Sequence, residues 1–196
     1  NFVVEECPKI AVLIAKVNGM FELGMKKQLI FSEFSSTGVE LVLKCLLTRG
    51  YVEYVPGMKR IRSRKVKRNV IKITGASNEQ KLIEIFNSDA NRIGEIIPLI
   101  ILHKRVSEGL DLRGVQAVHF VEQPKSVAVC RQVIGRARRF CSHKDYEYPT
   151  DWVVVIFNYL ASDDSFPEYS TDLHNQKIRK VNLKLIKDLM NVAGSV

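Results

Sequence analysis

Arg136 and Arg139 stand three residues apart behind a glycine, in the run Gln132-Val133-Ile134-Gly135-Arg136-Ala137-Arg138-Arg139. On a helix that spacing is close to one turn and sends both guanidinium groups out of one face. Two like charges held side by side call for an anion. The planar fork of arginine is always charged and matches phosphate oxygens two at a time. Gly135 carries no side chain, so a ligand or a neighbouring backbone can come close there. The chemistry that suits this set is charge stabilisation on a phosphoryl group in transfer. A solvated basic helix face would use the same residues, so the rest of the chain has to decide.

A second basic feature lies upstream. Lys59, Arg60, Arg62, Arg64, Lys65, Lys67 and Arg68 crowd into ten positions after the Pro56-Gly57 turn. Charges that dense repel one another, which predicts an exposed excursion over about 57–69. Contact with a phosphate backbone is the favoured use; a solubilising loop and a localisation signal are the others. The whole chain agrees in sign. Its 196 residues carry a net charge of +9, which points to a polyanion, most simply nucleic acid. No apolar run reaches membrane-spanning length, and no signal-peptide pattern opens the chain. The first residue is Asn1 rather than Met, so a longer parent protein is expected.

Four cysteines, Cys7, Cys45, Cys130 and Cys141, are scattered without a Cys-x-x-Cys pair. They read as reduced thiols. His143 follows Cys141 closely, but the spacing with Cys130 fits no common zinc finger, and no metal site is expected.

The elements that position these residues follow from periodicity. Pro8 to Gly24 repeats apolar residues at three- and four-residue steps and predicts a helix. Lys27 to Phe31 is a short buried strand ending at Ser32-Glu33. Ser35, Ser36 and Thr37 offer caps for a helix from Thr37 to Thr48. Tyr51–Val55 is a strand or loop edge, and Val70–Thr74 a strand. Ser77 and Gln80 form a capping box for a helix ending near Asn87. Ile96–Leu102 has the near-continuous apolar character of a central strand, with Pro98 awkward inside it. The Gly-containing turn Arg105–Leu112 follows that strand, where open α/β sheets place ligands. Val115–Val121 is another strand. Ser126 or Lys125 opens the helix that carries Gln132 to Arg139. Trp152–Leu160 is a last strand, and a helix spans about 171–192. Strands alternating with helices predict a mostly parallel, doubly wound α/β sheet with helices on both faces.

Three segments then fall into a known order. KQLIFSEF (Lys27–Phe34), SEGLDL (Ser107–Leu112) and QVIGRARR (Gln132–Arg139) resemble motifs IV, V and VI of the second RecA-like lobe of superfamily 2 helicases and translocases. QVIGRARRFCSH, the stretch Val118-His119-Phe120 and the closing TDLHNQKIRKVNLKLIKDLM are similar to one branch, the nucleoside triphosphate phosphohydrolase I-like helicases of large cytoplasmic DNA viruses, of poxvirus and asfarvirus type. Arg138 departs from the glycine common there in RNA helicases, so DNA is favoured over RNA.

The resemblance implies a RecA-like lobe over 1–196 and a role for each matched residue. Arg136 and Arg139 are the expected arginine fingers for the γ-phosphate of ATP, with Gln132 near the nucleotide. Gly109 and Asp111 are expected to couple the ATP site to the nucleic-acid track. Ser32, His103 and Lys104 are expected at the phosphate backbone. ATP with Mg2+ is the implied cofactor, and the partners are nucleic acid, an N-terminal RecA-like lobe of the same protein and, in the viral branch, an RNA polymerase. The implied location is host cytoplasm or virion for a viral protein, otherwise cytoplasm or nucleus. The sequence has no Gly-x-x-x-x-Gly-Lys-Ser/Thr loop and no Asp-Glu pair for magnesium, so the ATP-holding lobe is expected outside this chain. The competing reading is a RecA-like module that binds nucleic acid or a polymerase without catalysis. A methyltransferase-like Rossmann enzyme would need a glycine-rich turn after the first strand, and Phe31-Ser32-Glu33-Phe34 has none.

Overall fold

Every residue of the strand Gln28–Ser32 (β1) is buried, as a strand covered on both faces must be. It pairs in parallel with Leu99–His103 (β4) on one side and with Ala117–Phe120 (β5) on the other. The computed structural model describes residues 7–58, 68–76, 79–106, 109–139, 141–147, 152–161, 170–178 and 180. Val52–Glu53 (β2), Asn69–Ile73 (β3) and Val155–Asn158 (β6) complete a six-stranded sheet of order β2-β3-β4-β1-β5-β6. All its pairings are parallel, so the expected mostly parallel sheet is wholly parallel among the described residues.

Alternation along the strands divides the core. Ile30, Val70, Leu99 and Ile101 face the helices Pro8–Glu22 (α1) and Leu41–Thr48 (α2). Leu29, Phe31, Ile71, Ile73, Ile100, Leu102, Val118 and Phe120 face Glu79–Asn87 (α3) and Val127–Ala137 (α4). Two helix layers on a parallel sheet are the doubly wound α/β arrangement expected. Pro98 sits just before β4, where its missing N–H costs nothing, and its carbonyl still accepts from the Gln28 amide.

One helix start differs from expectation. Ser35, Ser36 and Thr37 do not cap α2; they lie in a wide turn, Ser35–Glu40, of π-helical hydrogen bonding that leads into it. Gly38 packs there so tightly that a Cβ would meet Ser32 Oγ, which closes the wide turn onto the end of β1. The capping box falls on Ser77, which lies outside the described residues; Gln80 Nε2 donates to Glu84. The neighbouring Glu79 closes that turn, accepting from the Thr74 amide, the Thr74 hydroxyl and the Gly75 amide. A carboxylate suits these donors better than an amide, because charged acceptors make the stronger bonds. The helix expected over 171–192 is described over 171–178 and at 180; the remainder lies outside the described residues.

A polar chain crosses the core beneath α1. Gln28 Nε2 donates to the Val17 carbonyl, which turns Gln28 Oε1 toward His119 Nε2 at 2.8 Å. His119 therefore carries its proton on Nε2, and its Nδ1 accepts from the Tyr159 hydroxyl at 2.7 Å. The ring stacks on Phe157 and is fully buried, and burial lowers its pKa to about 3. An unfolded histidine takes up its proton near 6.5, so the unfolded chain binds more protons than the native one between the two values. Stability from this group is complete above about 6.5 and drains away as the pH falls toward 3, a loss of a few kcal/mol. Urea unfolding at pH 7, 5 and 4 should show this decline, and His119→Phe, less stable at pH 7, should show a shallower one.

Candidate functional site

α4 begins at the carboxyl end of β5, where the Ser126 hydroxyl accepts from the Ala128 amide. It runs back across the sheet and ends at Ala137 with Arg138 as its cap. Arg136 is therefore on the last helical turn, half-buried, whereas Arg139 lies beyond the helix end and is exposed. The expected exit of both guanidinium groups from one helical face does not hold, because the helix stops between them. Gln132 is half-buried one turn before Arg136. Gly135 is exposed, and a Cβ there would meet nothing, so no contact within the described residues requires glycine at that position.

Arg139 meets the turn before β5. Its Nη1 lies 3.4 Å from Asp111 Oδ1, with the two side chains 46% and 48% exposed. At that separation and exposure the pair is a loose surface contact of small energy, and the guanidinium keeps donors for another anion. Gly109 opens the turn with φ +79°, a conformation side chains resist. Ser107 and Glu108 lie outside the described residues. An open cleft of ≈ 410 Å³ is lined by Asp111, Arg113, Arg139, Cys141, Ser142 and Lys144. Three cations face one carboxylate, which suits a polyphosphate tail.

The cleft does not sit at the carboxyl ends of the strands, as the turn after β4 led one to expect. The segment 141–146 is tied to the residues leading into β5. Ser142 accepts from the Gly114 amide, His143 Nε2 lies 2.8 Å from the Val115 carbonyl, and the Tyr146 hydroxyl donates to the Gly114 carbonyl. These ties bring the end of α4 to the amino end of β5. The site thus lies on the flank covered by α3 and α4, open to another body. Both ring nitrogens of His143 are taken up, Nδ1 by the Ser142 hydroxyl and Nε2 by the Val115 carbonyl, and Cys130 is buried in the core. Among the described residues no group of three His, Cys, Asp or Glu could hold a metal.

The carboxyl ends of the strands carry a different arrangement. Ser32, expected at a phosphate, is fully buried. Its hydroxyl donates to Glu122 Oε1 and accepts from the Phe34 amide, and the Glu33 amide donates to Glu122 Oε2. The seat at the end of β1 is taken by a carboxylate of the protein itself. Burial raises the Glu122 pKa, and the Ser32 hydrogen bond opposes that rise. Glu122 lies just past β5, beyond the reach of motif spacing, so nothing in sequence pointed to it. Lys104 is half-exposed and pairs with Glu33 at 2.7 Å, bridging the ends of β4 and β1. His103 ends β4 partly exposed, its Nδ1 accepting from the Arg105 amide.

Lys59, Arg60, Arg62, Arg64, Lys65 and Lys67 lie outside the described residues. Arg68 is half-buried, with its guanidinium 4.1 Å from the centre of the Phe21 ring. It serves packing at the start of β3 through a cation–π contact, rather than projecting with the excursion. A further cation escaped sequence reading. Lys27, at the head of β1, is fully buried, donates to the Phe86 carbonyl and lies over the Phe86 ring. Burial lowers its pKa to about 7 against the opposing fields of Glu95 and Asp145. The sequence places Lys27 at the start of a buried strand, but that its charged end is buried as well leaves no sequence signal.

The described fold resembles a crystal structure of the C-terminal part of the Fun30 ATPase domain, with TM-score 0.57 and 20% identity over 87% of this chain and 44% of that one. A termination factor NPH-I homologue of African swine fever virus is 31% identical over 142 residues, 71% of this chain and 20% of its own length. The early transcription factor 70 kDa subunit of fowlpox virus is 26% identical over 153 residues, 74% of this chain and 24% of its own. A putative ATP-dependent RNA helicase of Acanthamoeba polyphaga mimivirus is 36% identical over 83 residues, 42% of this chain and 14% of its own. The chain thus spans less than a quarter of these viral relatives, to which it is distantly homologous. Residues 16–141, from α1 through the cleft arginines to Cys141, match the model of the helicase conserved C-terminal domain. The chain belongs to that family, as a RecA-like C-terminal lobe of the superfamily 2 helicases and translocases.

Proposed function

We propose that this chain is the second lobe of an ATP-dependent nucleic-acid motor acting in viral transcription or DNA handling, in host cytoplasm or virion. The observation that carries the reading is the half-exposed Arg139 at the rim of a cationic cleft, held only loosely by Asp111. Arg139, Arg136 and Gln132 would address ATP with Mg2+ held mainly by an N-terminal lobe. Arg113 and Lys144 add charge on the cleft wall. The cleft cations fit phosphate oxygens, and the loop that cradles the phosphates would lie on the N-terminal lobe, since the sequence has none. Bound nucleotide supplies the phosphoryl group. Arg139 supplies planar donors where charge builds during transfer, and Asp111 is the carboxylate it rests against loosely until then. Placing that charge on a separate lobe makes hydrolysis wait for closure.

His103, Lys104 and the excursion at 59–67 are the proposed contacts to a nucleic-acid backbone, DNA before RNA. Contacts of that kind ignore base identity, as a motor moving along any sequence requires. A viral RNA polymerase is the further proposed partner, in keeping with the early transcription factor subunit and the termination factor homologue among the relatives.

The test is ATP hydrolysis by this chain alone and by a protein that joins it to its N-terminal lobe. Hydrolysis is expected from the two-lobed protein and no steady-state turnover from this chain alone. Turnover by this chain alone would overturn the proposal.

A further inference from the structure

The turn that carries Asp111 is held from behind by one side chain. Asn87, the last residue of α3, donates from Nδ2 to the Asp111 carbonyl at 2.7 Å. Its Oδ1 accepts from the Arg113 amide at 2.9 Å. A carboxamide offers a donor and an acceptor in one plane. It can therefore hold a carbonyl and an N–H two residues apart, as a neighbouring strand would.

The anchor itself is rigid. The adjacent Phe86 ring is fully buried, and the Phe86 carbonyl accepts from Lys27 Nζ and Asn91 Nδ2. Asn91 Oδ1 in turn accepts from the Ile96 and Ile97 amides ahead of β4. The end of α3 is thus tied to the amino ends of β1 and β4. On the far side of the turn, Gly114 is pinned by Ser142 and Tyr146, the segment that follows Arg139. Leu112 between the two clamped positions is fully buried, so the turn keeps a hydrophobic anchor of its own.

We propose that Asn87 is a positioning residue of the arginine site. It fixes the peptide units on either side of Leu112 so that the Asp111 carboxylate stays against Arg139 and the guanidinium is kept over the cleft. Without the clamp, water takes its place at the Asp111 carbonyl and Arg113 amide, the turn gains freedom and Arg139 loses its rest. This inference rests on the motor reading above.

The test is a double-mutant cycle in the two-lobed protein. Asn87→Ala is expected to lower kcat for ATP by up to ~5-fold, the most that a loose, half-exposed ion pair can transmit. KM and the unfolding temperature should change little, because Leu112 still anchors the turn. In an Asp111→Ala background, Asn87→Ala should cost less than about two-fold further, because a residue that acts through Asp111 has nothing left to position. Asn87→Asp should behave like the alanine variant, since it sets an oxygen against the Asp111 carbonyl. Additive losses across the cycle would overturn the proposal and leave Asn87 a structural residue. If Asn87→Ala leaves kcat intact while Asp111→Ala and Arg139→Ala lower it, the proposal fails and the motor reading stands. If none of the three lowers it, the motor reading has failed and takes the proposal with it.

Discussion

Arg139→Ala in the two-lobed protein is expected to slow ATP hydrolysis about 10³-fold, the low end of what an arginine supplied to a phosphoryl transfer contributes. The fold should not notice. Arg139 lies past the end of α4, is about half exposed and touches Asp111 at 3.4 Å, a contact worth little to stability. Unfolding temperature and nucleic-acid affinity should therefore stay near those of the parent. Arg139→Lys should recover little, because a point charge on a flexible stem cannot present the planar pair of donors. Arg136, on the last turn of α4, should show the same sign. Hydrolysis assays with thermal melts on the same samples check these outcomes. Unchanged hydrolysis in Arg139→Ala would favour a lobe that binds nucleic acid or a polymerase without catalysis.

Gly94→Ala is expected to cost about 3 kcal/mol or more of stability. Gly94 turns the chain between Asn91 and β4 with φ +77°, and a Cβ there would lie 2.4 Å from the Lys26 carbonyl oxygen. The left-handed backbone alone costs about 1–2 kcal/mol for a residue with a side chain, and the clash adds to it because backbone cannot rotate away. Relief would have to move Lys26, whose amide is held by Gln116 and whose neighbour is the buried Lys27. Gly57→Ala separates the two costs. Gly57 also has positive φ, at +89°, but a Cβ there meets nothing. It should lose only about 1–2 kcal/mol. Equal losses in urea unfolding would show that the close approach at Lys26 does not matter.

The layered fold was legible because its signals are local and repeated. Apolar runs of strand length alternated with helical periods, and a doubly wound parallel sheet with helices on both faces is what the chain forms. Motif order marked the helicase lobe, and the family match covers residues 16–141. The site was legible in part. Asp111 and Arg139, far apart in sequence, do meet. Ser32 is expected at a phosphate backbone from its motif, and in the structure its hydroxyl donates to Glu122, which arrives from the end of the neighbouring β5. Arg68 belonged by composition to the basic excursion, but Phe21 takes its guanidinium. Neither partner is near in sequence, so no periodicity or motif could have named it.

The amino-acid sequence by itself determined the elements, their layering and which basic residues to weigh at a phosphate, because spacing and side-chain chemistry act over a few residues. Tertiary structure alone decided which of those residues stay available. α4 ends at Ala137 and frees Arg139 from the helix, Asn87 and Tyr146 pin the opposing turn, and the cleft opens on the helical flank rather than at the strand ends. The reason is physical: a buried polar group takes whichever partner the packed chain brings within reach, and that is set by how the sheet is wound.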